Sequence, residues 1–166
     1  MDPHLSQLQQ EISSAVAGLS AEQLDAHPAG KWCTAEILEH LYLTYTGTTR
    51  GFQRVLEAGK PKVTPPTWMQ RGGALLVLGF RYMPPGREAP PMARPKGLPR
   101  EKVQSEIAAK IAEMDAILAT CESKFGAGTK VLDHAILGPL TISQWRRFHL
   151  VHGRHHIKQI QRLRSA

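Results

Sequence analysis

A chain of 166 residues, 42% hydrophobic and 21% charged, can bury one sizeable core and sits near the globular average, which excludes a disordered or fibrous protein; residues 1–166 read as a single domain. Its 21 Lys and Arg against 14 Asp and Glu give a net charge of +7, yet they form only partial clusters, which argues against a nucleic-acid footprint. The longest apolar run, Ala74 to Phe80, falls far short of the roughly 20 residues that span a bilayer, and the N-terminus shows no leader, so the expectation is a cytoplasmic protein with no membrane partner. The two cysteines, Cys33 and Cys121, lack the spacing of a zinc or redox motif and read as free thiols.

Leu5, Leu8, Ile12, Val16 and Leu19 recur at helical spacing and predict a first helix from about His4 to Leu24, broken by "HPAGKW". Thr34 is the expected cap of a second helix, carried by Ile37, Leu38, Leu41, Tyr45 and Phe52 to about Ala58 and stopped by Gly59 and Pro61. A Pro-rich connection fills residues 59–99, with an apolar piece at Trp68 to Tyr82 that suits a minor helix. The third helix, about Arg100 to Ser123, carries Val103, Ile107, Ile111, Met114 and Leu118. After a loop containing "LGPLT", Thr141 or Ser143 caps the fourth, which runs to about Leu163. No strand pattern competes. The fold class is therefore all-α, a four-helix bundle, and the long crossover between the second and third helices permits an up-down-down-up order.

On the fourth helix, residues four apart lie about 40° from one another, so His152 and His156 share a face with Trp145, His149 and Ile160. An H-x-x-x-H pair presents two imidazoles at a spacing that suits one metal ion, although buried, hydrogen-bonded histidines would show the same pattern. His40 borders the apolar stripe of the second helix. If the two helices are neighbours, His40, His152 and His156 offer three ligands and leave a position open, as in catalytic sites.

"KWCTAEILEHLYLTY" and "LGPLTISQWRRFHLVHGRHHIKQI" resemble the two signature regions of the DinB-like (YfiT-like) metalloenzyme superfamily. That resemblance, which runs in order along essentially the whole chain, implies an up-down-down-up bundle whose divalent metal is held by His40, His152 and His156. It also implies a homodimer as a plausible assembly, for which an exposed apolar stripe would be needed, and it brings in thiol-dependent chemistry with low-molecular-weight thiols. Zinc or nickel suits three imidazoles. The Pro-rich connection has no counterpart in the resemblance.

Glu36, one turn before His40, is the candidate catalytic carboxylate, orienting His40 or acting as a base; the competing reading is a first-turn Glu favoured by the helix dipole. Glu39 is expected to point outward. His149 reads as packed core rather than a fourth ligand, Gln159 as a surface residue that could reach the site, and Arg154 and His155 as bundle-edge residues, Arg154 within reach of an anionic substrate group. Trp32, Trp68 and Trp145 suit core or mouth positions, and Cys33 a structural thiol near a helix N-terminus. Two functions follow: a divalent-metal-dependent hydrolase or thiol S-transferase acting on a small molecule, or a non-enzymatic metal- or ligand-binding, stress- or damage-associated module whose basic surface could contact nucleic acid.

Overall fold

In the computed structural model, which describes residues 1–84, 86 and 88–165, the first apolar stripe becomes α1 (Pro3–Val16), with Leu5, Leu8, Ile12 and Ala15 buried and Asp2 capping the His4 amide. The single helix expected to reach Leu24 is in fact two. Gly18 adopts a left-handed φ of +74°, which ends the run, and Ser20 opens α2 (Ala21–Asp25) through a capping box with Gln23.

The second long helix, α3 (Thr34–Ala58), ends as expected at Gly59, whose φ is +69°. Its N-cap is Cys33 rather than Thr34, because Glu36 accepts the Cys33 amide at 2.9 Å and sets the first turn one residue earlier.

The crossover contains α4 (Trp68–Ala74), which continues into a π-helical turn at Leu75–Gly79, and a 3-10 turn at Pro91–Ala93. It is tied down at both ends. At its start the Lys62 amide donates to the Val131 carbonyl at 2.9 Å, and Thr64 donates its amide and hydroxyl to Asp133 at 2.9 and 2.7 Å. At its far end Glu39, contrary to the outward position expected, is buried and accepts the amides of Lys96 and Gly97 at 2.7 and 3.1 Å. Two backbone donors replace the water this carboxylate gives up.

The third long helix, α5 (Arg100–Phe125), buries all five of the expected apolar residues. The loop expected after it instead forms an antiparallel hairpin, β1 (Lys130–His134) and β2 (Gly138–Thr141), with Leu132 opposite Leu140. The fold is thus mostly helical with one small sheet, not all-α. Strands of five and four residues are too short to register as a period-two pattern. Thr141, the first of the two expected caps, shares a capping box with Gln144 and opens α6 (Ile142–Arg164).

Packing pairs α3 with α5 and α1 with α6, while α5 and α6 touch each other and α3 meets α6 across the interior. Arg146 of α6 ties three elements together: it donates to Asp115 at 3.3 Å and Glu122 at 2.6 Å, and the Asp2 amide donates to the same Asp115 at 2.8 Å. No described helix is long and apolar enough to cross a membrane.

The seam between α1 and α6 closes at Gly153, in the middle of α6, where an added Cβ would overlap Leu8 Cδ1, itself fully buried. Helix propensity alone favours Gly153→Ala by about 1 kcal/mol, whereas overpacking costs about 1–3 kcal/mol. Gly153→Ala is therefore expected to lower the thermal midpoint, and pairing it with Leu8→Ala to give a non-additive recovery in a double-mutant cycle of denaturation curves.

Candidate metal centre

Where α3 faces α6, the side chains of His40, His152 and His156 are all buried, and their ligating nitrogens lie within 4.8 Å of one another. The structure thus brings together all three histidines singled out from the sequence. His152 Nε2 stands 3.2 Å from His40 Nε2 and 3.1 Å from His156 Nε2. Phe148 stacks nearly parallel on His152, ring centroids 5.4 Å apart, and Trp32 lies 5.2 Å from His40.

The hydrogen bonds on the far side of two rings fix where the protons are. His40 Nδ1 donates to the Ala93 carbonyl at 2.8 Å, since a carbonyl can only accept, so its Nε2 carries a bare lone pair. His156 Nδ1 likewise donates to Gln159 Oε1 at 2.8 Å, with the Gln159 amide nitrogen turned toward His155 Nε2 at 3.2 Å. Both bare nitrogens point at His152 Nε2, where a single proton can serve only one of them. His152 Nδ1 is buried with no partner. A cation among the three Nε2 atoms satisfies all of them. Nitrogens about 2.0–2.1 Å from a tetrahedral ion stand about 3.3 Å apart, close to the spacing found, so the donor set fits a divalent metal.

Electrostatics supports the same state. Burial pushes the His156 imidazole down to about 3, with His40 adding to the effect. Burial also holds His152 well below its ordinary value, reinforced by His156 and His40, and lowers His40 against the opposing pull of the Ala93 carbonyl. All three rings are neutral at physiological pH and keep their lone pairs.

Glu36 sits elsewhere than on His40. Its Oε2 accepts the Cys33 amide at 2.9 Å and lies 3.0 Å from His27 Nε2, while both His40 nitrogens are engaged with other groups. His27, Cys33 and Glu36 form a second trio close enough to share an ion, with His27 exposed. The Cys33 thiol is raised by burial, which suits the structural thiol expected there rather than a nucleophile. Arg154, expected at the bundle edge within reach of an anionic substrate group, grips Glu11 with contacts of 2.6 and 2.9 Å. Trp145 is buried and Trp68 stands out in solvent, so core or mouth holds for the first and not the second.

Sequence reasoning missed two contributors. The Ala93 carbonyl is a backbone atom with no signal of its own, and Glu39, expected to point outward, holds the loop that carries it. Gln159 is half-buried and directly bonded to a site histidine rather than lying on the surface.

The family profile described as the DinB superfamily matches residues 4–160, and the chain belongs to that superfamily. No curated protein and no solved structure matches it. Superfamily membership and the buried histidine trio together fit a metal-binding domain.

His149 is wholly buried, stacks on Trp145, and neither ring nitrogen has a partner; burial lowers it to about 3. The unfolded chain therefore takes up a proton near pH 6.5 that the folded chain refuses until about pH 3. Stability from this group is present above pH 6.5 and is lost as pH falls, by about 1.4 kcal/mol per unit within that window. Thermal midpoints of chelator-treated protein between pH 7 and 4.5 are expected to fall more steeply for wild type than for His149→Met; equal slopes would contradict the assignment.

Proposed function

We propose that this DinB-superfamily chain is a divalent-metal-dependent enzyme carrying out hydrolysis or thiol S-transfer on a small molecule, with His40, His152 and His156 as the ligands. The observation that carries this reading is the convergence of three neutral imidazole Nε2 atoms, two with lone pairs fixed by hydrogen bonds on the far side of the ring. Three imidazoles favour zinc or nickel and leave one position open to a reactant. When bound, such an ion lowers the pKa of a water or thiol in that position and supplies a hydroxide or thiolate nucleophile near neutral pH. A low-molecular-weight thiol of the cytoplasm is the co-reactant in the transferase version. We read the four long helices as the up-down-down-up bundle, which the α1–α6 and α3–α5 pairings and the long crossover support.

The chain's own residues orient and shield. Ala93 and Gln159 hold the Nδ1 protons of His40 and His156, which aims both Nε2 atoms inward and raises ring basicity. Phe148 and Trp32 flank the rings and keep bulk water from them. Glu36 serves as a base only if its carboxylate leaves His27, so Glu36→Gln is a direct check on that role.

Metal per chain, measured by mass spectrometry on untagged protein, is expected to be about one, and His40→Ala or His152→Ala should abolish it with the helical spectrum retained. A wild type that stays empty after incubation with zinc, nickel and manganese would sink the reading. Gln159→Leu keeps all three ligands but loses the His156 acceptor, and is expected to weaken affinity by about ten- to a hundred-fold in a competitive chelator titration.

A further inference from the structure

Among the described residues, eight of the ten large apolar side chains left in solvent fall between Val63 and Met92, so the exposed apolar surface is concentrated in the crossover. The helix formed by α4 and its π-helical turn is apolar on both sides. Val77 and Leu78 are buried, and the turn that carries them packs on α6, yet Trp68 is 81% exposed, Met69 65%, Leu75 62% and Phe80 71%. A surface helix normally turns polar residues outward, and an apolar stretch of this extent marks a contact face.

Charge along the same segment identifies its partner. Between Glu57 and Glu88 the chain has no carboxylate at all, whereas Lys60, Lys62, Arg71 and Arg81 are all exposed. We propose that the α4 face docks on an anionic lipid surface, with Trp68, Met69, Leu75 and Phe80 entering the headgroup boundary and these four cations facing the lipid phosphates and carboxylates. Aromatic and aliphatic side chains on one side, with Lys and Arg beside them, form the pattern of a helix that lies in a membrane interface. A second copy of the chain fits less well. Two-fold pairing of this face would bring Arg71 and Arg81 against their own copies with no carboxylate in the segment to neutralise them. The expectation of no membrane partner rested on the lack of a spanning segment, and interfacial docking requires none.

The test is co-sedimentation of the full chain with phosphatidylcholine vesicles, with and without phosphatidylserine, at low and at physiological salt. Binding is expected only to the phosphatidylserine vesicles, to weaken as salt rises, and to be accompanied by a blue shift of tryptophan emission that Trp68→Phe removes. Trp68→Ser with Phe80→Ser, and separately Arg71→Glu with Arg81→Glu, should each lower the affinity about ten-fold or more, because each pair removes one of the two attractions. All four positions are exposed, so both variants should keep the wild-type helical spectrum and metal content, which separates failure of this proposal from failure of the metal reading. Absence of binding to anionic vesicles at low salt would overturn it. So would binding that neither variant weakens, or a wild-type dimer in solution that Trp68→Ser with Phe80→Ser dissolves, since a second copy would then be the occupant.

Discussion

Three neutral imidazoles buried with their Nε2 atoms about one ion's width apart are the constraint on which the rest of this structure depends. Like lone pairs facing one another in a low-dielectric interior are unfavourable, so the surrounding fold has to hold the rings in place. The Ala93 carbonyl and the Gln159 amide do this from behind, and Phe148 does it from the side. Ala93 can act only because the crossover is fixed, and the crossover is fixed near that point by Glu39, whose buried carboxylate holds Lys96 and Gly97. One residue of α3 therefore belongs to the histidine trio while its neighbour secures the loop that orients its ring.

The same logic explains why α6 tolerates a glycine in its middle. Gly153 lies between His152 and His156 and lets α1 approach through Leu8. Both α1 and α3 then press on α6, one on the glycine side and one on the histidine side. The loss of helix propensity at Gly153 is offset by that close packing.

What could be read from the sequence was what depends on local spacing. The H-x-x-x-H pair and the shared stripe with Trp145 and Ile160 put two histidines on one inward face, and the helix boundaries at Gly59 and Thr141 followed from cap chemistry. What could not be read depends on contacts distant in sequence. His40 and Ala93 are 53 residues apart, and a carbonyl has no residue type to betray it. Glu39 was misread because a helical wheel locates the core but not the loop that later covers the other face. Trp68 failed for the opposite reason: apolar residues are assigned to the interior by default, whereas here the inner face of its helix was already occupied by Val77 and Leu78. The hairpin was hidden by its brevity.

The most direct test of the central claim is X-ray absorption at the metal edge of zinc- or nickel-loaded protein. The account predicts nitrogen and oxygen neighbours only, at about 2.0–2.1 Å for zinc, with the multiple-scattering pattern of three imidazoles. A sulfur neighbour at about 2.3 Å would contradict it, because it would place the ion on Cys33 beside His27 and Glu36 rather than among His40, His152 and His156.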